Sequence, residues 1–459
     1  MKKRTHLLIL AISIFVCLCL MSFSVKPKHN GSVLIRNVSV IDVRKGKVIS
    51  NQNVLIKGEK ILVISKNSKN MVAESEIDGS GKYLIPGLWD MHTHNWWQLH
   101  FSNYYVANGV LGVRNMYTPM SMITPVKDSI SADLIHGPFY VSAGRVLEGA
   151  EPEFPDWIVV DKKEKINAAL DTLQMEGSDF VKVYNKIPKE VYFDLVKEAS
   201  RRGMRVEGHL PMSVSAIDAS NAGQRSFEHL LGIPDLCTKE KLFANNHKFN
   251  WFASAMSEKD YGLMQFDEAT AAKNFKILKR NNTYICPTLV VWNSYLHPDN
   301  LFENNPHISK FPVEMQGFWA GEIGKYRKKD TAYKEISSKK YENFKNTTFL
   351  LYKYGVPLIA GTDAINPYCY PGYSLHKELS LLKECGIPDK EVLKMATINA
   401  AQFLKLEKRF SEVKVGLEAS LVLLNDNPLE DINNTTKIEK VILRGKIINR
   451  TEINAMLNE

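Results

Sequence analysis

The feature that most constrains this chain is an alternation of short apolar runs with helical stretches, from about Tyr83 to Leu406. Such alternation is typical of parallel βα units, because a crossover helix must separate two strands that run in the same direction. Eight such runs predict an α/β fold, a (β/α)₈ TIM barrel with insertions. The predicted strands are Leu88–His92, Gly109–Met116, Phe139–Ala143, Asp179–Tyr184, Arg205–His209, Ser226–Leu230, Thr283–Val290 and Pro357–Asp363.

Both ends of the chain are predicted to be rich in strands. These strands are Ser32–Ile41, Gln52–Ile56, Lys60–Ser65, Ser420–Asn425 and Ile438–Ile448, the last with a turn at Arg444-Gly445. Strand-rich ends around a long α/β middle predict one small β-domain built from both termini. We therefore expect its two parts at residues 31–85 and 407–459, with the barrel at 86–406.

Two long, polar, aromatic-rich insertions flank the seventh predicted strand, at residues 231–282 and 293–345. Loops of that length in a compact domain are usually functional. We expect both insertions to cover the mouth of the barrel and to set selectivity there.

Residues 1–30 are predicted to lie outside the fold. Lys2-Lys3-Arg4 forms a basic start, and Leu7–Phe23 is an uncharged apolar run. This pattern is typical of a secretory signal peptide or an N-terminal membrane anchor. We therefore expect an exported protein that is periplasmic, secreted or attached to a membrane through its N-terminus. Cys17 and Cys19 leave lipidation open, although the small residues that lipoprotein cleavage prefers do not precede them.

The charge pattern argues against nucleic-acid binding. The 459-residue chain carries a net charge of +9, but its basic residues are scattered and do not interleave with aromatic residues. The four cysteines beyond the N-terminal segment are widely spaced, which favours single buried thiols over a disulfide framework. They are Cys237, Cys286, Cys369 and Cys385.

The strongest local signal is His92-Thr93-His94, at the end of the first predicted barrel strand. Two residues at positions i and i+2 of a strand point to the same face, and barrel active sites lie at the carboxyl ends of the strands. Imidazole is a good ligand for Zn²⁺ and similar ions. A chance pair on an amphipathic strand is the alternative.

Three further residues end predicted strands and could join this pair. His209 and His229 end neighbouring strands, and Asp363 ends the eighth. A carboxylate there could bind one ion and take a proton from an attacking water. The alternatives are histidines satisfied within the core and an aspartate that caps a helix.

Lys182 lies inside the apolar run Phe180–Tyr184. A buried lysine is costly unless it is paired or modified, and a desolvated amine can react with carbon dioxide. The carbamate that results could bridge two cations. The alternative is a lysine that extends to solvent at the strand end.

Together these motifs resemble the amidohydrolase superfamily, in particular its imidazolonepropionase-like and Xaa-Pro-dipeptidase-like members. The resemblance covers about residues 32–449. Besides Lys182, His209 and His229, the segments that carry it, in the family order, are Ile85–His94, Phe180–Tyr184, Gly361–Ala364, Met395–Ala401 and Gly416–Leu429. It implies a (β/α)₈ barrel with a small β-sandwich domain made from both chain ends.

The resemblance also implies a binuclear metal site. His92, His94 and Asp363 would hold one divalent ion, His209 and His229 a second, and carboxylated Lys182 would bridge them. We expect Zn²⁺, given imidazole and carboxylate ligands. A metal-bound hydroxide would then attack an amide-type bond, with Asp363 as catalytic base and then acid. A peptide or an N-acyl amino acid is the expected substrate, as in a metallopeptidase.

The sequence departs from the family pattern at three places, and the last two leave the substrate class open. Ala419-Ser420-Leu421 replaces Ala-Asp-Leu, Arg114-Asn115 replaces Arg-Asp, and Gly144–Phe154 lacks a glycine- and histidine-rich loop. The alternatives are a mononuclear cyclic-amide hydrolase or deaminase, and a non-catalytic exported binding protein. Met212 counts against a deaminase, because many deaminases of this superfamily carry glutamate at that position.

Four residues at or just past the strand ends are candidates for substrate binding, with ordinary loop packing as the alternative: Tyr117, Arg145, Tyr184 and Trp292. We expect a small-molecule or peptide substrate and a homo-oligomer.

Overall fold

The computed structural model describes residues 29–94, 98–119, 122–239, 264–297 and 308–458. The predicted N-terminal signal or anchor lies outside these ranges, apart from its last two residues. Within the described residues, no helix combines the length and apolar character that crossing a membrane requires.

The fold is mixed α/β, as the sequence predicts. In the described part of the chain the strands are β1 (His29–Asp42), β2 (Lys47–Lys57), β3 (Lys60–Ser65), β4 (Met71–Asp78), β5 (Tyr83–Pro86), β6 (Leu88–Thr93), β7 (Val110–Asn115), β8 (Phe139–Ser142), β9 (Leu147–Glu148), β10 (Ile158–Val159), β11 (Val181–Val183), β12 (Val206–Gly208), β13 (Ser226–Glu228), β14 (Tyr284–Cys286), β15 (Leu421–Leu424), β16 (Ile438–Leu443) and β17 (Lys446–Ile448).

In the same described residues, α-helices separate most of the middle strands. They are α1 (Gln98–Ala107), α2 (Ile123–Ser131), α3 (Ile166–Met175), α4 (Lys189–Arg201), α5 (Ala216–Ala222), α6 (Glu268–Arg280), α7 (Leu289–Leu296), α8 (Val313–Arg327), α9 (Thr331–Lys353), α10 (Tyr373–Glu384), α11 (Asp389–Met395), α12 (Ile398–Leu404) and α13 (Arg450–Met456).

The two ends of the chain share one eight-stranded sheet. Its order is β17-β16-β15-β5-β1-β2-β3, with β4 also paired to β1. The antiparallel pair β5–β15 joins the two ends and places Ile85 opposite Val422. One face of this sheet has its own apolar core, which includes the fully buried Ile35, Leu84 and Leu423. Burial of this face is what holds the distant ends of the chain together.

The middle strands pair in parallel, in the sheets β6-β7-β8, β10-β9-β11-β12 and β13-β14. Backbone hydrogen bonds connect these sheets through the residues next to the strands. The backbone N of Asp179 donates to the carbonyl of Ser142, and that of Arg225 donates to Val206, both at 2.8 Å. In β6, the backbone N of Met91 donates to the carbonyl of Ala360 at 2.9 Å, and Ala360 lies three residues before Asp363. The carboxyl ends of the parallel strands therefore meet on one side of the molecule.

Two predicted strands differ from the structure. The prediction for Thr283–Val290 is wrong beyond Cys286, because Thr288 has a left-handed backbone (φ +48°) and α7 begins directly after it. The segment Pro357–Asp363 and its next residue contribute only isolated bridges. Within that segment, a side chain at Gly361 would clash with the backbone N of His92, so glycine permits the close approach to β6.

The sequence also missed the strands β4, β5, β9 and β10 and the C-terminal helix α13. The insertion at residues 293–345, which the sequence predicts to be a loop, contains α8 and part of α9.

Candidate metal centre

Four of the predicted metal ligands meet at the carboxyl ends of the middle strands. Nε2 of His92 lies 3.3 Å from Nε2 of His94. Asp363 Oδ1 lies 2.9 Å from Nε2 of His94 and 3.4 Å from Nε2 of His92, and Asp363 Oδ2 lies 3.8 Å from Nδ1 of His229. Ligand atoms of His92, His229 and Asp363 all lie within 4.8 Å of one another, a spacing at which a single cation could bind them.

His209 and Lys182 border this group. The ring centroids of His209 and His229 are 4.9 Å apart. Lys182 is the central residue of β11, where it pairs with Glu207 of β12, and its side chain is almost fully buried. Its ammonium nitrogen lies 5.7 Å from the centroid of the Tyr184 ring. The structure therefore brings all six predicted ligands to one region, and their role as ligands stays a prediction.

Burial keeps the imidazoles of this group neutral. It lowers the pKa of His229 to about 4, and it lowers the pKa of His92, His94 and His209 as well, with neighbouring cationic groups adding to the effect. Burial alone would raise the pKa of Asp363, but the nearby histidines and Lys182 lower it overall. Neutral imidazoles around an ionised carboxylate are a donor set that fits a divalent cation.

Burial also lowers the pKa of Lys182, to about 8. The neutral, nucleophilic form of this amine is therefore more accessible than in an exposed lysine. This state is a requirement for the reaction with carbon dioxide that the sequence predicts.

Three of the histidines are held through Nδ1 by a polar partner. His92 Nδ1 lies 2.8 Å from Glu228 Oε2, His209 Nδ1 lies 2.8 Å from Asn185 Oδ1, and His229 Nδ1 lies 2.8 Å from Thr288 Oγ1. A partner at Nδ1 fixes the ring orientation and leaves Nε2 as the ligand atom.

Arg114 forms a buried ionic network behind the histidines that sequence reasoning missed. Its guanidinium donates to both carboxylate oxygens of Glu228 at 2.9 Å, to Glu207 Oε2 at 2.7 Å and to Ser226 Oγ at 3.0 Å. Its Nε donates to the carbonyl of Met91 at 2.6 Å. The signal in the sequence was an arginine inside an apolar strand, which is costly unless it is paired.

Asp90 is a second buried acid that the sequence did not single out. Its carboxylate accepts hydrogen bonds from Thr362 Oγ1 (2.6 Å) and from the backbone N of Thr362 (3.0 Å) and His92 (3.2 Å). Burial raises its pKa to about 7. Asp90 thus ties β6 to the segment that carries Asp363.

Left-handed backbone recurs around this centre. His229, Thr288 and Asp363 have φ angles of +62°, +48° and +61°. Residues other than glycine adopt this region rarely and at a cost, and such strain clusters at functional sites. His229 and Thr288 follow the carboxyl ends of β13 and β14, and Asp363 lies in the segment that forms isolated bridges to β14 and β6.

Of the candidate substrate contacts, Trp292 lies against the metal centre. It lines a pocket together with His209, His229 and Asp363, and its indole Nε1 donates to the carbonyl of His229 at 2.8 Å.

The other three candidates are not among the described residues that line this pocket. Tyr184 stacks on His209 with centroids 4.1 Å apart, and its hydroxyl donates to Glu153 at 3.2 Å. Tyr117 packs in the same aromatic cluster, and its hydroxyl donates to Asp156 at 2.7 Å. The guanidinium of Arg145 donates to Glu176 at 2.5 Å and therefore has a protein partner.

The two predicted insertions are described in part. Residues 240–263 of the first and 298–307 of the second lie outside the described ranges. Leu231 from the first insertion and Tyr295 from the second reach the pocket beside the metal centre.

Comparisons with known proteins agree with this fold. A sequence model of the Amidohydrolase family matches residues 83–448. The chain belongs to this family, whose members are hydrolases that generally bind metal ions.

Three more specific similarities were found. A 5-methylthioadenosine/S-adenosylhomocysteine deaminase of Thermoanaerobacter pseudethanolicus is 23% identical over 91% of this chain and 93% of its own length. The structure of bottromycin amidohydrolase has a TM-score of 0.72 at 20% identity, covering 92% of this chain and 88% of that one. The structure of a Xaa-Pro dipeptidase with bound methionine in its active site has a TM-score of 0.64 at 19% identity. The match covers 91% of this chain and 99% of that one.

Proposed function

We propose that this protein is a binuclear metal-dependent hydrolase that cleaves an amide-type bond in a peptide or an N-acyl amino acid. The observation that carries the proposal is the convergence of His92, His94 and Asp363, whose ligand atoms lie 2.9 to 3.4 Å apart. The ring of His229 lies beside them, with its centroid 4.4 Å from that of His92. We also infer that the parallel middle segments close into a (β/α)₈ barrel and that the sheet of both chain ends belongs to a β-sandwich domain.

Two ions, rather than one, are favoured by the number of available ligands. His92, His94 and Asp363 would hold one ion, and His209 and His229 the other. Carboxylated Lys182 would bridge them, and its burial with a pKa of about 8 suits that modification. The ligand types favour Zn²⁺.

The chemistry divides between the metal ions and the chain. When bound, such ions polarise a carbonyl and lower the pKa of a coordinated water. Asp363 is placed to accept a proton at a carboxylate oxygen and to deliver it to the departing amine. Asn185, Thr288 and Glu228 hold the imidazoles in place throughout.

A deaminase is the second candidate, because both matched curated relatives are deaminases. At the position where many deaminases of the superfamily carry a glutamate, this chain has Met212, which offers no carboxylate to protonate a ring nitrogen. We therefore rank hydrolysis of an acyclic amide first. A non-catalytic binding protein ranks last, since all six expected ligands are retained.

The test combines metal analysis with a substrate panel. Protein purified without chelators should contain close to two divalent ions per chain and should hydrolyse members of a dipeptide and N-acyl amino acid panel. Asp363→Asn should lower turnover by at least about 100-fold, the usual scale for lost acid–base catalysis. A protein that deaminates adenosine derivatives but leaves the whole panel intact would contradict the proposal.

Export and assembly into a homo-oligomer remain predictions. The basic start and apolar run of residues 1–30 favour an exported protein, and fractionation of the producing cells would test this. Full-length protein in the soluble cytoplasmic fraction would contradict it.

A further inference from the structure

Glu148, the last residue of β9, is a fully buried acid that the proposed chemistry does not use. Its Oε1 accepts hydrogen bonds from the backbone N of Gly149 at 2.7 Å and of Lys186 at 2.6 Å. Lys186 directly follows Asn185, whose Oδ1 lies 2.8 Å from Nδ1 of His209. One carboxylate therefore joins the end of β9 to the segment that orients a predicted metal ligand.

This segment needs an acceptor, because it lies beyond the end of β11 at Val183. The backbone N of Tyr184 still donates to the carbonyl of Leu147 at 3.0 Å, but within the described residues no backbone carbonyl accepts from the N of Lys186. A buried backbone N–H without a partner is costly. The side chain of Glu148 thus continues the strand pairing where the backbone no longer does so.

Gly149 makes a second, independent contact with the same segment. A Cβ at this position would overlap the carbonyl group of Lys186. Only glycine permits so close an approach of the two backbones. Glu148 and Gly149 together therefore fix the chain at Lys186, one residue from Asn185.

We propose that Glu148 is a positioning residue that holds Asn185, and through it His209, for one of the two metal ions. This inference rests on the proposed function, in which His209 binds a single ion. Asn185 lines the pocket beside His209, whereas Glu148 is not among the described residues that line it. Glu148 therefore acts through Asn185 and does not touch the ion or the substrate. Its loss weakens the ion held by His209 and leaves the other ion in place.

The position of Glu148 also gives a role to the loop Gly144–Phe154, which lacks the glycine- and histidine-rich pattern of the family. Besides Glu148, this loop carries Glu151, whose carbonyl accepts a hydrogen bond from the ammonium group of Lys186 at 2.8 Å. Two residues of the loop thus bind the segment that follows β11. In this chain the loop supports a metal ligand from behind.

The first experiment changes the acceptor. Competition with a chromophoric chelator measures the affinity of the zinc-loaded protein for each of its two ions. Glu148→Leu should weaken one ion by about 10 to 100-fold, the usual scale for loss of a group that supports a ligand, and leave the other unchanged. Glu148→Gln should restore most of this affinity, because an amide oxygen can accept the same two hydrogen bonds. Equal weakening of both ions, or a Gln variant as weak as the Leu variant, would overturn the inference.

Asp179→Leu is the comparison variant. The carboxylate of Asp179 also accepts from a backbone N, that of Ser142 at 2.7 Å, but Asp179 lies before the amino end of β11. This change should leave the affinity for both ions unaltered. If it weakens one ion as much as Glu148→Leu does, the effect belongs to the sheet as a whole and Glu148 has no particular role.

A double-mutant cycle tests whether Glu148 acts through Asn185. Glu148→Leu should weaken the ion strongly in the wild-type background. In the Asn185→Ala background it should weaken the ion by no more than about twofold, because the side chain that transmits the effect is already missing. Losses that simply add would overturn the inference.

The unfolding temperature of each variant identifies any that has lost its fold. If Glu148→Leu does not fold, Gly149→Ala tests the same segment, because its methyl group must displace Lys186 and should weaken the same single ion. Wild-type protein that binds fewer than two ions would contradict the proposed function. Wild-type protein that binds two ions, with neither affinity changed by Glu148→Leu or Gly149→Ala, would contradict the present inference alone.

Discussion

Glu228 Oε2 lies 2.8 Å from Nδ1 of His92, and the same carboxylate accepts two hydrogen bonds from Arg114. All three side chains are fully buried. The histidine therefore donates through Nδ1 and presents Nε2 to Asp363 and His94. A carboxylate behind a ligating histidine raises the basicity of the ligand and fixes its orientation.

The first prediction follows from this relationship. Glu228→Gln should weaken metal binding by about 10 to 100-fold, because a neutral amide orients the ring less firmly and polarises it less. Competition with a chromophoric chelator measures the affinity directly. Glu207→Gln is the matched control, since Glu207 also pairs with Arg114 but forms no hydrogen bond with a histidine of the described residues. Equal losses in both variants would assign the effect to the ionic network rather than to His92.

The second prediction concerns Arg114 and stability. Arg114→Met should lower the free energy of unfolding by about 3–5 kcal/mol, because it leaves the carboxylate of Glu228 buried without its guanidinium partner and removes one of the two arginines that pair with Glu207. Urea unfolding measures this loss. Arg36→Met is the comparison, because Arg36 pairs with Glu76 at the surface, where an ion pair contributes far less. A loss at Arg114 no larger than that at Arg36 would contradict the prediction.

Much of the fold was predictable because the middle strands are short apolar runs bounded by polar residues. The α/β alternation placed β6 to β8 and β11 to β13 correctly within a few residues. Two-residue strands such as β9 have no periodicity to detect. Strands that short are specified by their neighbours in the fold rather than by their own sequence.

The end of β14 could not be predicted, because the turn into α7 depends on tertiary contacts. The side chain of Thr288 makes no capping hydrogen bond to the helix and lies instead 2.8 Å from Nδ1 of His229. The backbone N of Val290, in the first turn, donates to Glu378. When the hydrogen bonds at the start of a helix are made with residues distant in the chain, the local sequence does not indicate where the helix begins.

The predicted ligands could be found because histidines and an aspartate recur at the ends of apolar strands. The residues that hold them were harder to find. Glu228 is adjacent to His229 in the sequence but contacts His92, and Asn185 and Thr288 look like ordinary loop residues. Their roles depend on which strands are neighbours, and a single sequence does not specify side-chain contacts of that kind.

The third prediction concerns Glu378 and the pH dependence of stability. Burial raises the pKa of Glu378 to about 8, well above its ordinary value. An acid whose pKa is raised by folding contributes stability that is fully present below the unfolded pKa and is lost as the pH rises through the folded pKa. Between about pH 4.5 and 8 the wild-type protein should therefore lose up to about 1.4 kcal/mol per pH unit from this group.

Glu378→Gln removes that titration while keeping an oxygen that can accept from the backbone N of Val290. Urea unfolding is measured at about pH 5.0 and about pH 8.0, near the two ends of this window. The variant should gain stability relative to wild type at the higher pH. Glu384→Gln, an exposed change on the same helix, should shift stability equally at both values. A difference between Glu378→Gln and wild type that does not vary with pH would contradict the prediction.

The last prediction concerns Lys182. If its carbamate bridges two ions, Lys182→Ala should lower both metal content and turnover, because no other described side chain is expected to take the bridging position. Short-chain carboxylates such as formate or acetate should restore part of both, since their two oxygens can replace those of the carbamate. Elemental analysis of the variant with and without the carboxylate gives a readout that is independent of activity.

Lys340→Ala is the matched control, because Lys340 is also a buried lysine but lies on α9. The metal content of this control variant should not respond to carboxylates. A Lys182→Ala protein that keeps its full metal complement would show that the lysine is not a bridging ligand.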